Sequence, residues 1–182
     1  MAQNLIKLEN VYFYYTKIAE PQLDKFDPTG LQKKFGITVA LTKADAKEFK
    51  KLKLNKTVKE LTEQEFLDKY KAIPDALKND DDEYFTINVT AKATYPDGNP
   101  TPDWTWPKTY LWENEKPVES TKTLVGNGSR GDLRISTKES KSGQLNVSLH
   151  SILVYDLVPF EKRGDEWANP EADAENVGDV PF

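Results

Sequence analysis

The stretch Phe35-Gly-Ile-Thr-Val-Ala-Leu-Thr42 decides the fold class, because nearly every second residue is large and apolar. A period of two is typical of a β-strand with one buried and one solvated face. The stretch 85–95 repeats the pattern, with Phe, Ile, Val, Ala and Tyr alternating with Thr, Asn and Lys. Two such strands predict a mainly β domain.

Three further segments are predicted as strands: 5–18, 133–138 and 145–158. The apolar alternation of the last segment breaks at Ser151, which indicates burial on both faces or a β-bulge. Helix is predicted mainly within an insert over 43–78, where Thr62 and Glu65 have the spacing of a capping box. About five long, mostly antiparallel strands with one helical insert favour an OB-fold-like, five-stranded, partly open barrel. A β-sandwich is the alternative.

The charge of the chain is concentrated at one end. The net charge is −5, but residues 164–182 contain six acids and no Lys or Arg. Subtracting them leaves 24 acids and 25 bases in residues 1–163. We therefore expect one domain over 1–163 and a disordered acidic tail over 164–182, whose composition is rich in Gly, Asp, Glu, Asn and Ala. A near-neutral body can still hold a basic stripe that attracts phosphates.

Candidate catalytic groups are scarce. The chain has no cysteine and one histidine, His150, which no nucleophile motif accompanies. The run Asp80-Asp-Asp82 lacks the spacing of a calcium-binding loop. We therefore expect no enzyme activity, no catalytic residue, no cofactor and no metal site. No leader pattern and no apolar run of about 20 residues is present, so we expect a cytoplasmic protein without a membrane partner.

A Trp- and Pro-rich excursion over 96–123 carries the best binding signal. Within 104–112, aromatic residues interleave with Lys108, and an extended chain would bring them to one face. Aromatic rings stack unpaired bases, at about 1–3 kcal/mol per base, while cations contact the phosphates. The alternative is that at least two of the tryptophans pack inward. The predicted DNA-binding residues are Tyr12, Tyr14, Lys33, Trp104, Trp106, Lys108, Tyr110, Arg130, Arg134 and Lys138.

Two further motifs, a glycine-rich stretch and the end of the tail, have functional interpretations of their own. The stretch Gly126-Asn-Gly-Ser-Arg-Gly131 lacks the Lys-Ser/Thr ending of an ATP phosphate loop. It predicts either a tight turn or a turn that lets a nucleic-acid backbone approach. In the tail, Asp179-Val-Pro-Phe182 forms an apolar tip that can anchor in a partner's pocket while the preceding acids steer it there. The same acids can compete with nucleic acid for the body's own basic groove. The predicted partner-binding residues are Asp173, Glu175, Asp179, Val180, Pro181 and Phe182.

Four features together resemble the single-stranded DNA-binding proteins of tailed bacteriophages. They are the opening strand 5–15, the stretch 34–42 followed by a helix, the glycine turn 126–129 before a basic strand, and the acidic tail ending in Phe182. The tail is also similar to that of cellular single-stranded DNA-binding proteins, which end in acids followed by Asp-Ile-Pro-Phe.

This resemblance implies an OB-fold core that coats unwound DNA without catalysis during replication, recombination and repair. It also implies a tail that recruits replication and recombination proteins, and the host cytoplasm as the location. The oligomeric state and the choice between DNA and RNA stay open, with a homo-oligomer among the alternatives. The alternative function is that of a β-sandwich protein that binds carbohydrate or builds a virion, and a glycosidase with a carboxylate pair comes third.

Overall fold

The computed structural model describes residues 4–159. The predicted tail over 164–182, with Asp173, Glu175, Asp179, Val180, Pro181 and Phe182, lies outside these residues. The elements are β1 (Asn4–Leu23), β2 (Lys33–Leu41), α1 (Lys43–Lys51), β3 (Lys59–Leu61), α2 (Glu63–Tyr70), β4 (Tyr84–Lys92), β5 (Lys108–Glu113), β6 (Lys116–Glu119), β7 (Ser129–Glu139) and β8 (Leu145–Asp156). Short 3-10 helices cover Asp75–Leu77 and Asp103–Thr105. No helix in the described part of the chain is long and apolar enough to span a bilayer.

The strands form one eight-stranded sheet in the order β3-β4-β2-β1-β7-β8-β5-β6. The long strands β4, β2, β1, β7 and β8 are antiparallel neighbours, whereas β5 runs parallel to β8. Because β4 also approaches β8, the long strands curl into a partly open barrel. The predicted mainly β fold with a helical insert is confirmed, and the excursion contains a β5–β6 hairpin.

The main core fills the inner face of this curled sheet. Alternation directs Phe35, Ile37 and Val39 of β2 inward, where they meet the apolar residues of β1, β4, β7 and β8. A second core lies on the outer face, where α2 covers Tyr14 and Tyr84. The predicted capping box starts α2 as expected: α2 has Thr62 at its N-cap, and the Thr62 hydroxyl accepts from the Glu65 N–H.

Bulges allow the longest strands to curve. The pairing of β1 with β7 shifts register between Leu8 and Val11, and its pairing with β2 shifts between Tyr14 and Lys17. In β8 the register shifts so that His150 has no directly opposite residue in β7, which confirms the bulge predicted near Ser151. These bends let one strand contribute to both cores.

Candidate nucleic-acid interface

The outer face of β2 and β4 has a floor of small and polar side chains. Gly36 lies opposite Thr90, and Thr38 lies opposite Asn88. The Thr38 hydroxyl donates a hydrogen bond of 2.6 Å to Asn88 Oδ1, which fixes the orientation of that amide. Helix α2 covers the Tyr84 end of this face, so the remaining floor forms a shallow, half-exposed groove.

Lysines surround this floor on every side. Lys34 of β2 lies directly opposite Lys92 of β4, although like charges in that relation destabilise a sheet. Lys17 of β1 lies opposite Gly36, and Lys59 of β3 lies opposite Thr86, the residue two before Asn88. We call the following residues the lysine groove: Gly36, Thr38, Asn88 and Thr90 with Lys17, Lys34, Lys56, Lys59, Lys69 and Lys92.

The lysines are close enough to affect one another's protonation. Burial lowers the pKa of Lys56, and the charges of Lys34 and Lys59 lower it further. Burial also lowers the pKa of Lys69, again with a contribution from Lys59. Lys34 forms an ion pair with Asp24, at 3.5 Å. Within residues 4–159, Lys56, Lys59, Lys69 and Lys92 form no ion pair, so no acid of this part of the chain neutralises their charge directly.

Loops define two borders of the lysine groove. The segment before β3 is held by Asn55, whose N–H donates to Leu145 O at 2.7 Å and whose side chain donates to Asn146 Oδ1 at 2.7 Å. This contact with the start of β8, next to the β7–β8 turn, fixes the position of the neighbouring Lys56. At another border, the loop 24–32 between β1 and β2 presents Phe26, which is 89% exposed and lies 5.8 Å from Lys34 Nζ.

The two tyrosines predicted to stack bases belong to the second core. Tyr14 is only 2% exposed, and its ring lies 4.6 Å from that of Tyr70 and 6.0 Å, edge to face, from that of Phe66. Burial raises the pKa of Tyr14. The prediction for Tyr14 is therefore wrong, because α2 covers the ring that a base would need. Tyr12 is half-buried at the edge of the same cluster, and its role stays a prediction.

The tryptophan-rich excursion does not form a single aromatic face. Trp104 lies in a 3-10 helix and is 79% exposed. Trp106 packs against Phe35 with ring centroids 5.5 Å apart, and its indole N–H donates to Thr101 Oγ1 at 2.8 Å. The expected common face is wrong, because β5 begins only at Lys108 and carries only the later part of the motif. Of Trp104, Trp106 and Trp112, only Trp106 packs inward, so the alternative of at least two inward-packing tryptophans is wrong.

The remaining predicted residues lie mainly on the outer face of β7, β8 and β5, which we call the β7–β8–β5 face. Arg130 donates to Asp156 at 2.7 Å and to Asn10 Oδ1 at 2.6 Å. Lys108 forms an ion pair of 3.1 Å with Glu119. The same strands carry Arg134, Lys138 and the half-buried Tyr110. Lys33 is different: it lies at the start of β2, and alternation along that strand points it to the opposite face from Lys34. The structure thus separates most predicted phosphate contacts from the lysine groove.

The glycine turn before β7 is packed against the chain itself. A Cβ at Gly126 would lie 2.5 Å from Val158 O, and the Ser129 hydroxyl accepts from the Val158 N–H at 2.8 Å. Asn127 Oδ1 accepts from the Tyr15 N–H at 2.8 Å. The close approach at Gly126 therefore accommodates the segment that follows β8, which argues against the second of the two interpretations.

The lysine groove was missed from the sequence, although a signal for it was present. The polar residues that alternate with the apolar ones end in a lysine on both strands, Lys34 on β2 and Lys92 on β4. Only the antiparallel register brings these two positions together, since they are far apart in the chain. Phe26 gave a second signal as a lone aromatic residue in a polar loop.

Comparison with known proteins gave likeness at the level of structure. No protein-family model matches the chain, and no curated protein matches it. The chain is similar to gp2.5, a single-stranded DNA-binding protein encoded by bacteriophage T7, with 14% identity, a TM-score of 0.49, and coverage of 92% of this chain and 94% of the other. It is also similar to the single-stranded DNA-binding protein from bacteriophage Enc34, with 18% identity, a TM-score of 0.45, and coverage of 94% and 89%. At these values of identity and TM-score, the similarity concerns only the path of the backbone.

Proposed function

We propose that this protein binds single-stranded DNA without sequence preference and without catalysis, through the lysine groove. The observation that carries the proposal is the convergence of lysines over a polar floor in an otherwise acidic chain. Lys34 and Lys92 lie directly opposite each other, which costs stability that a bound phosphate recovers.

The position of the groove within the fold favours a nucleic acid over other anions. In OB-folds, oligonucleotides bind on the face of the second and third barrel strands, between the loops that flank it. Here β2 and β4 occupy these positions, and the loop 24–32 and the β7–β8 turn flank them. This step is an analogy between folds. The residues themselves supply its chemistry, because lysines around an open floor track a phosphate backbone without reading bases.

The wider role rests on the resemblance of the chain and its tail to single-stranded DNA-binding proteins. We infer that the protein coats unwound DNA during replication, recombination or repair in a host cytoplasm. In this proposal, acidic residues such as Asp173 and Asp179 steer the tip at Phe182 toward basic pockets of partner proteins. The support is the separation of charge, with a nearly neutral body and an acidic tail.

Salt dependence tests the proposal directly. A labelled oligo-dT is titrated with the full chain at several salt concentrations, and binding is followed by fluorescence anisotropy. With four to five lysines on phosphates, the slope of log K against log salt is expected to be about −3, at about −0.7 per contact. Duplex DNA is expected to compete less well than the single-stranded DNA.

The rival function has a different signature in the same experiment. A carbohydrate-binding protein would bind chitin or starch oligomers with an affinity nearly independent of salt, and it would leave the oligo-dT free. That result would contradict the proposal, as would a salt slope near zero for oligo-dT.

A further inference from the structure

The loop 24–32 displays an aromatic side chain on an ordered backbone. Phe26 is 89% exposed, which is costly for a ring of this size in water. The backbone beneath it is fixed, since Asp24 N–H donates to Gln32 O at 2.9 Å and Asp27 N–H donates to Asp24 O at 3.1 Å. An exposed phenylalanine on a well-bonded loop is held out of the core by the loop's own structure.

Asp27 is the residue that orders this loop. Its carboxylate accepts from the Thr29 N–H at 3.0 Å, the Leu31 N–H at 3.1 Å and the Gln32 N–H at 2.9 Å, and from the Thr29 hydroxyl. These bonds hold the pKa of Asp27 well below its usual range. At the next turn, Gly30 has φ +69, a conformation that a side chain would strain.

The ring of Phe26 lies where the lysine groove meets the loop. Lys34 Nζ is 5.8 Å from the ring centroid and 3.5 Å from Asp24 Oδ1, so the same lysine borders both the groove and the loop. Lys92 lies opposite Lys34 on the neighbouring strand. A strand whose phosphates contact this lysine pair has its bases within reach of an exposed ring at the groove's end.

We propose that Phe26 stacks an unpaired nucleobase at this end of the lysine groove and that Asp27 positions it by ordering the loop. The inference rests on the proposed binding of single-stranded DNA. It adds a binding site for a base to a groove that otherwise contacts the backbone. Stacking on a phenylalanine face does not discriminate between bases, so the site suits binding without sequence preference.

The test separates bases from phosphates. Affinity is measured by anisotropy for oligo-dT and for an oligomer of the same length made of abasic sites, with the full chain and with Phe26→Ala. The variant is expected to lose about fivefold to 100-fold for oligo-dT, the range given by one stacked base, and almost nothing for the abasic oligomer. Lys59→Ala, by contrast, lowers affinity for both oligomers.

Four further variants sharpen the result. Phe26→Trp retains affinity for oligo-dT, whereas Phe26→Leu behaves like Phe26→Ala, because leucine keeps apolar area without an aromatic face. Asp27→Asn loses less affinity for oligo-dT than Phe26→Ala does, and it keeps its affinity for the abasic oligomer. Its salt slope is unchanged. Trp112→Ala removes another exposed aromatic ring, one on β5 that is not among the predicted DNA-binding residues, and serves as the matched control. It leaves both affinities unchanged.

Several outcomes would overturn the assignment without touching the proposed function. Unchanged affinity of Phe26→Ala for oligo-dT would do so, and so would full activity of Phe26→Leu. Equal losses for both oligomers would mean that the loop supports Lys34 rather than a base. If the unaltered chain bound neither oligomer, the proposed function itself would fail, and the two failures are thus distinguishable.

Discussion

The lysine groove and the β7–β8–β5 face are both rich in bases, but their charges are compensated to different extents. On the β7–β8–β5 face, Arg130 pairs with Asp156 and Lys108 pairs with Glu119, whereas Arg134 and Lys138 form no ion pair within residues 4–159. In the lysine groove, Asp24 pairs with Lys34, while Lys56 and Lys59 have no acidic partner within residues 4–159. We expect the face with the larger share of uncompensated bases around one polar floor, the lysine groove, to attract a polyanion more strongly.

The largest expected effect comes from reversing charge in the groove. Lys59→Glu combined with Lys92→Glu removes two cations and adds two anions along the floor. We expect the affinity for oligo-dT to fall by about 100-fold or more, and the salt slope to become shallower by about 1.4, from two lost phosphate contacts. Anisotropy titrations at several salt concentrations measure both quantities.

The matched variant reverses two charges on the other face. Arg134→Glu combined with Lys138→Glu changes the net charge by the same amount, and both residues are exposed on β7. We expect less than about a threefold loss, because only long-range charge is altered. Equal losses from the two double variants would remove the distinction between the faces.

This comparison also marks the limit of prediction from sequence. The alternation in 35–42 was enough to predict β2 and its buried face, because a period of two is a local property. The groove depends on register, which pairs Lys34 with Lys92 through contacts between strands remote in sequence. The prediction for Tyr14 fails for a related reason. The alternation correctly places Tyr14 and Phe13 on opposite faces of β1, but only the packing of α2 buries the face that carries Tyr14.

Removal of the tail is expected to have the next largest effect. If the acids of 164–182 compete with DNA for the lysine groove, a chain ending at Arg163 binds oligo-dT more tightly, by about tenfold at low salt. The gain shrinks as salt rises, because the competing contact is itself ionic. Titration of both chains at two salt concentrations measures it. Weaker binding by the shortened chain would contradict the competition.

The glycine turn supplies a test in which stability changes and binding does not. Gly126→Ala introduces a Cβ that would lie 2.5 Å from Val158 O and 2.8 Å from Pro159 O. We expect a loss of about 1–3 kcal/mol in the free energy of unfolding, the usual cost of overpacking. Urea denaturation measures this cost. Affinity for oligo-dT at low temperature stays within about twofold of the parent. Lost affinity in a fully folded variant would restore the reading of the turn as a DNA contact.

The ion pair of Arg130 with Asp156 gives the smallest expected effect, but it tests charge compensation most directly, because one of its two variants removes the acid and keeps the base. Arg130 lies 2.7 Å from Asp156 and over the ring of Tyr155, and its side chain is 31% exposed. Arg130→Gln is expected to change affinity by less than about twofold and stability by less than about 1 kcal/mol, as for other exposed pairs. Asp156→Asn leaves Arg130 charged without its partner, so affinity for oligo-dT should rise by about twofold to threefold at low salt, and the gain should vanish at high salt. A fall in affinity with Arg130→Gln would mean that Arg130 already contacts DNA through its ion pair. No rise with Asp156→Asn, measured in the same titration, would mean that geometry rather than compensation keeps this face out of the interface.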